Sequence, residues 1–176
     1  MKKLIMLFLL GAFAMQLHAQ TYDPRTEKFN IGIGMGMEYG GFGVNLLGYP
    51  QKNIGIFAGG GYAIGGFGWN AGLKGRFFLN ETSSITPFIQ AMYGYNAAFK
   101  VVGNSNYDKL FYGPTFGAGI DWRLGKAKKN YLSVALTVPV RSSEVEDYRQ
   151  SLINDGNDMG KLPPVGFSIG YRLRIK

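Results

Sequence analysis

The sequence predicts an all-β protein, an eight-stranded antiparallel up-and-down transmembrane β-barrel over residues 28–176. Large apolar residues alternate with small or polar residues along eight stretches, which is the period of a strand with two unlike faces. The chain has 27 glycines, and many of them fall on the second of these faces. After residue 19, no stretch has the roughly 18 apolar residues of a membrane-spanning helix. A membrane protein with this sequence would therefore cross the bilayer with strands.

The residues before the barrel predict export. Residues 1–19 have the pattern of a cleavable Sec-type signal peptide, with Lys2 and Lys3, an apolar run and small residues up to Ala19. Residues 20–27 form a short polar arm. An uncleaved anchor is the alternative, which the short apolar run disfavours. The chain has no cysteine, which excludes disulfides, a thiolate nucleophile and cysteine-ligated zinc.

The first strand, predicted over residues 28–39, shows the alternation most clearly. Its odd positions, including Met37 and Tyr39, are all large and apolar, whereas its even positions are glycine, polar or charged. Proline interrupts the later strands at positions 87, 114 and 139, which we interpret as bulges or strand-end defects. The same alternation predicts seven further strands, over residues 41–49, 53–64, 67–79, 85–100, 110–124, 131–141 and 164–176.

The apolar faces are predicted to face lipid. A soluble exported barrel with its apolar face inward is the alternative, but the lumen of an eight-stranded barrel has room only for modest side chains. The glycine-rich face suits that lumen, so the bulky face must lie outside. Aromatic residues on the apolar face are predicted to form two membrane rims. One rim comprises Phe29, Phe77, Trp122 and Tyr171, and the other Tyr39, Tyr62, Phe67, Phe99 and Tyr112.

These features resemble the small outer-membrane β-barrel proteins of the OmpA/OmpX-like class. The resemblance rests on the leader ending Ala19-Gln20, the Gly/aromatic strands and the closing strand GFSIGYRLRIK, and it covers residues 28–176. It implies a location in the cell outer membrane, with both chain ends in the periplasm. Turns at 49–53, 80–83 and 125–130 would then be periplasmic, and loops at 103–109 and 142–163 external. The chain departs from many such barrels by ending in Lys176 instead of an aromatic residue.

A cluster of charged residues is predicted inside the lumen, near the periplasmic end. One interpretation is an anion-selective constriction or a site for an anionic group. We favour a salt-bridged, water-filled plug around Asp121, because a packed eight-stranded lumen seldom conducts. Inward aromatics at 57, 78, 88, 111 and 131 would fill the interior, with a small apolar ligand cavity as the alternative. The charged cluster comprises Lys28, Lys74, Arg76, Asp121, Arg123, Arg172 and Arg174.

The loop over residues 142–163 is the longest interruption of the strand pattern. Ser143 and Glu146 match a capping box and Gly156 offers a stop, which predicts a helix over residues 144–154. We interpret the loop as a solvated acidic cap over the barrel mouth. The alternative is a calcium site at residues 155, 157 and 158, but the full sequence signature of a calcium-binding loop is missing. The candidate interaction residues are Glu144, Glu146, Asp147, Tyr148, Asp155 and Asp158.

The sequence predicts a barrel without enzymatic activity, metal or cofactor. Its single histidine, His18, lies in the leader, which excludes a Ser-His triad in the mature chain. A Ser-Lys dyad with Ser133 or Ser168 remains formally open. The expected role is structural, or a surface interaction through loop 142–163. A small-solute channel or a ligand-binding barrel with a basic lumen is the alternative.

Outer-membrane lipid is the expected partner of the barrel, and an envelope or surface protein is a candidate partner. We expect a monomer that binds no nucleic acid, because the basic residues form no basic helix or RNA-binding motif.

Overall fold

The chain forms a closed antiparallel barrel of eight strands arranged in sequence order. This computed structural model describes residues 27–77, 79, 83–101, 107–125 and 129–175. The predicted signal peptide, the arm up to residue 26, Phe78 and Lys176 lie outside the described residues, as do parts of the connections near 80, 103 and 126. The strands are β1 Phe29–Gly36, β2 Gly41–Gln51, β3 Ile54–Ala63, β4 Gly66–Arg76, β5 Ile85–Phe99, β6 Lys109–Leu124, β7 Asn130–Pro139 and β8 Gly166–Arg174.

The first and last strands close the barrel. Strand β1 pairs with β2 on one side and with β8 on the other, and Gly34 lies opposite Gly43 and Gly170 in these two pairings. We call the end where β1 begins and β8 ends the terminal end. The opposite end is called the helix end, because helix α1 (Ser143–Asn154) connects β7 to β8 there. The predicted fold is confirmed, and the predicted strand ends agree with the observed bounds to within three residues.

The two faces of the wall are divided as the alternation predicts. Ile33, Trp69 and Val134 are exposed on the outside, whereas Asn70 and Thr137 are fully buried inside. Every strand contributes exposed large apolar residues, so the outer surface is a continuous apolar belt. The barrel thus places most of its large aliphatic side chains outside and most of its polar residues inside.

The prediction that Met37 and Tyr39 face outward is wrong. The chain leaves the wall at Gly36, which has φ +111°, and forms a 3₁₀ turn over Met37–Tyr39 inside the lumen. We call this segment the inner turn. Tyr39 is fully buried there, so it cannot belong to an outer aromatic rim. The strand period fails here because glycine allows a backbone direction that the side-chain pattern does not reveal.

Phe99 is also wrongly placed by the alternation. The pairing of β5 with β6 shifts register between Tyr95 and Ala97, and Gly94 just before this bulge has φ +151°. One extra residue reverses the faces of the strand beyond it. Ala97 and Phe99 are therefore buried, and Phe99 packs at the barrel mouth instead of joining the outer rim.

Tight glycine packing surrounds the inner turn. A Cβ atom added to Gly170 would overlap the hydroxyl and ring of Tyr39. A Cβ atom on Gly34 would meet the backbone of β8 at Ile169 and Gly170 as well as the same ring. The glycine-rich inner face is thus required by the close approach of β1, β8 and the tyrosine.

Helix α1 extends over Ser143–Asn154, close to the predicted helix. The predicted capping box is absent: Ser142 is the N-cap and makes no side-chain cap bond, while Glu146 binds Arg149. Gly156 ends the helix as predicted, with φ +86° and its amide donating to Ile153. Within the described ranges, no helix is both long and apolar enough to cross a bilayer.

Replacing Gly170 by alanine is expected to destabilise the barrel by about 1–3 kcal/mol, the usual cost of overpacking. The added methyl group must displace the Tyr39 ring, which the surrounding lumen confines. Urea unfolding from lipid vesicles, followed by tryptophan fluorescence, measures the change. Gly75→Ala is the matched control, because a Cβ atom there meets only Ile89 at an ordinary 3.7 Å. Equal stability of the two variants would contradict this account of the inner turn.

Candidate functional site

The predicted lumen charge cluster is largely present. Lys74, Arg76, Asp121, Arg123 and Arg172 are buried in the barrel interior, with at most 2% of each residue exposed. Such burial requires partners, because an isolated charge in a low-dielectric interior costs several kcal/mol. The partners define three groups, which are described from the terminal end inward.

Two members of the predicted cluster lie at its edge. Lys28 is exposed and precedes the first ladder position of β1, so it is not buried with the rest of the cluster. Arg174 is half-buried near the end of β8. The cluster also contains two acidic residues outside the predicted set, Glu27 and Glu38, and both are buried.

The terminal group joins two arginines to one carboxylate. Arg76 Nη1 and Arg123 Nη2 both donate to Oε2 of Glu27, at 2.5 and 3.0 Å. The Arg76 guanidinium also lies 3.6 Å from the centre of the Tyr49 ring, and that of Arg123 lies 4.9 Å from the Tyr131 ring. Carboxylate and aromatic faces together hold these cations just inside the terminal end.

The middle group centres on Lys74. Its ammonium donates to Asp121 Oδ1 at 2.9 Å and to Ser133 Oγ at 3.2 Å, and it lies 3.5 Å from the centre of the Phe88 ring. These residues come from β4, β5, β6 and β7, so the pair bridges the lumen from wall to wall. Lys74 and Asp121 are both fully buried.

The innermost group is built on the inner turn. Arg172 from β8 donates to the Glu38 carboxylate and, at 2.7 Å, to Asn45 Oδ1. The turn itself is fixed through its backbone, because Glu38 N donates to Ser168 Oγ and Glu38 O accepts from Asn45 Nδ2. Asn70 Nδ2 donates to the carbonyl of Met37. The inner turn is thereby connected to strands β2, β4 and β8.

Catalysis by a Ser-Lys dyad is not supported by this geometry. Ser133 and Lys74 do come together, as the dyad requires, but the Lys74 ammonium also donates to the Asp121 carboxylate at 2.9 Å. Lys74 and Ser133 are both buried, with at most 1% of each residue exposed, so the pair presents no open surface to a substrate. Ser168, the second candidate, accepts a hydrogen bond from the backbone of Glu38. Both serine hydroxyls accept hydrogen bonds from other residues inside the lumen.

Apolar side chains fill the space between the charged groups. Phe57, Phe88, Phe111 and Tyr131 are buried, as predicted for inward aromatics. Leu47, Tyr49, Phe57 and Met92 form one interior cluster, against which Met37 of the inner turn packs. The described interior is thus occupied by paired charges and packed hydrocarbon.

Helix α1 packs over the helix end through one apolar face. Val145 and Leu152 are buried against Ala97, Phe99 and Phe111. The Tyr148 ring lies 5.6 Å from both Phe99 and Phe111, and its hydroxyl donates to Tyr107 O at 2.8 Å. Lys109 Nζ lies 4.7 Å from the centre of the Tyr148 ring. The loop therefore covers the mouth with hydrophobic contacts.

The acidic residues of the loop lie on its outer side. Glu144, Glu146, Asp147, Asp155 and Asp158 are all exposed. A hydrogen bond from Arg149 holds the pKa of the Glu146 carboxyl below its usual range. Among the described residues, no three His, Cys, Asp or Glu side chains are grouped to hold a metal ion. At the candidate calcium position, Asn157 Nδ2 donates to Leu152 O and so serves the end of the helix.

The strand pairing and the filled lumen define a closed eight-stranded antiparallel barrel with a packed, charged interior. No family model matches the chain, and no curated protein matches it. Among solved structures, it is similar to the N-terminal β-barrel domain of OprF from Pseudomonas aeruginosa. The TM-score is 0.47 at 10% sequence identity, and the match covers 82% of this chain and 96% of that chain. The fold assignment rests on the strand pairing of the chain itself.

Replacing Lys74 by methionine is expected to destabilise the barrel by about 3–5 kcal/mol, because Asp121 is left buried without its cation. The double variant Lys74→Met/Asp121→Asn should recover part of this loss. Urea unfolding in lipid vesicles measures both, and a double-mutant cycle with Asp121→Asn isolates the coupling. The exposed Lys28→Met is the control and should change stability by less than about 0.5 kcal/mol. Additive effects of the two lumen substitutions would show that the pair does not act as a unit.

Proposed function

We propose that the chain is an integral outer-membrane β-barrel with a closed lumen. Its role is structural, or is exercised at the cell surface by the loop over residues 142–163. The observation that carries this proposal is the apolar belt around the outside of the barrel. Water-exposed monomers rarely present continuous apolar patches of more than a few hundred Å². A belt that includes every strand fits a hydrocarbon environment.

The height of the belt supports a bilayer. Strand β3 and its following turn expose apolar side chains from Ile54 to Ile64. At about 3.3 Å per residue and a tilt of roughly 40°, this stretch spans about 25 Å, the height of the apolar band in outer-membrane barrels. The positions of the predicted rim aromatics also fit a bilayer. Trp122 is exposed near the terminal end of the belt, and Tyr62, Phe67 and Tyr112 are exposed near the helix end. Outer-membrane lipid is therefore the proposed partner of the belt.

The proposed orientation places the terminal end in the periplasm. Both described chain ends lie there, and the connection between β2 and β3 is a two-residue turn at 52–53. The helix end, with α1 and the long connection between β5 and β6, then faces outward. Short periplasmic turns and longer outer loops are the usual arrangement of these barrels.

The filled lumen supports a non-conducting, non-enzymatic barrel. Three groups of ion pairs and two apolar clusters occupy the interior, and α1 packs over the helix end. A solute channel of this size would need a continuous water path through them. A steady single-channel current in a planar bilayer would restore the channel interpretation.

Replacing Leu136 by arginine tests the lipid-facing belt. Leu136 lies at the middle of the exposed face of β7, where an arginine should cost about 2–4 kcal/mol in a bilayer. Urea unfolding from phospholipid vesicles measures the change. Gln51→Arg is the control, because this exposed residue lies at the terminal end of β2 and should change stability by at most about 1 kcal/mol. If the barrel is instead soluble without detergent and Leu136→Arg leaves its stability unchanged, the membrane assignment is wrong.

The surface role of the loop can be tested with single cysteines, since the chain has none of its own. Asp147→Cys places a thiol on the exposed face of α1, and Val145→Cys places one on the buried face of the same helix. With a thiol-reactive cross-linker on intact cells, we expect a protein adduct at position 147 and none at position 145. Identical cross-linking of both variants, or of neither, would count against a surface partner for this loop.

A further inference from the structure

We propose that Arg76 and Arg123 form an oxyanion-binding site just inside the terminal end of the lumen. Glu27 occupies this site as a tethered ligand from the segment that precedes the barrel. The site would take a carboxylate or a phosphate group. This inference goes beyond the proposed membrane role and does not depend on it, because it concerns how the lumen ends.

The cations of this site are fixed by the barrel wall. Arg76 stacks over Tyr49 of β2, and its Nε donates to Lys52 O at 2.5 Å. Arg123 lies over Tyr131 of the neighbouring strand β7. These contacts come from the wall strands and the turn at 52–53, so both guanidinium groups keep wall contacts that are independent of Glu27. The site is therefore pre-organised for an anion.

The anion, in contrast, does not belong to the wall. The ladder at this end is completed by hydrogen bonds from Tyr49 N to Lys28 O and from Ile175 N to Phe29 O. Glu27 precedes these last backbone anchors, yet it is buried to the same extent as the arginines. Its carboxylate is bound by the two guanidinium groups.

The other lumen pairs differ in this respect. Lys74 and Asp121 both belong to wall strands, and the backbone of Glu38 is held inside the barrel by Ser168 and Asn45. In the terminal group, the two cations belong to wall strands and the carboxylate belongs to a residue that precedes β1.

The chemistry of the two arginines selects the ligand class. Guanidinium groups match carboxylate and phosphate oxygens with parallel N–H donors, and their charge does not depend on pH in the physiological range. Two such groups converge here on one oxygen atom of Glu27. A free carboxylate or phosphate of similar size could receive the same bonds when the tethered one is removed.

Chemical rescue of Glu27→Ala tests the site in the full chain, refolded in detergent micelles. The variant removes the carboxylate that the two buried guanidinium groups share, and its apparent melting temperature should fall by on the order of 10 °C. Sodium acetate or sodium phosphate should restore much of this loss with a saturating dose response, whereas sodium chloride at the same ionic strength should not. Comparing the acetate and phosphate arms distinguishes a carboxylate site from a phosphate site.

Two further variants make the result decisive. Adding Arg76→Gln to Glu27→Ala should abolish the rescue, and Glu38→Ala, which removes a carboxylate bound deep in the barrel, should show none. If Glu27→Ala does not fold in plain buffer, its folded yield should be restored by refolding in acetate or phosphate and not by sodium chloride. A response to chloride equal to that to acetate and phosphate, or no saturating response of either the melting temperature or the folded yield, would overturn the proposal.

Discussion

The close fit between the glycine-lined inner wall and the inner turn is the constraint on which the structure depends. Tyr39 lies against Gly34 and Gly170, where β1 meets β8 and the barrel closes. This contact leaves no room for side chains on the adjoining inner positions, and it brings Glu38 within reach of Arg172. The same fit therefore accounts for the glycines on the inner face of β1 and β8 and for the innermost charge pair of the lumen.

Much of the fold could be read from the sequence because a strand has a simple period. The alternation from Ile54 to Ile64 correctly separates inside from outside, and the regular parts of the other strands follow the same rule. It fails at Tyr39 and Phe99, where glycine backbones with positive φ precede the change of direction. A period of two says which residues share a face only while the ladder continues, and it contains no signal for the residue at which the ladder ends or bulges.

Most of the charged residues of the candidate site could be predicted from the sequence. Inward positions on regular strands correctly identified Lys74, Arg76, Asp121, Arg123 and Arg172 as lumen residues. Their acidic partners Glu27 and Glu38 were missed, because one precedes β1 and the other lies on the inner turn. A signal was nevertheless present: four buried cations with a single buried aspartate require further carboxylates. Acidic residues next to strand ends were the ones to consider.

The inner turn also has a consequence for the order in which the molecule assembles. It is hydrogen-bonded to β2, β4 and β8, and Thr137 of β7 approaches Met37, so strands from around the circumference enclose it. A segment enclosed in this way would have to enter through the mouth of a finished wall to reach its place. We therefore expect the inner turn to form its contacts before β8 pairs with β1 and closes the barrel.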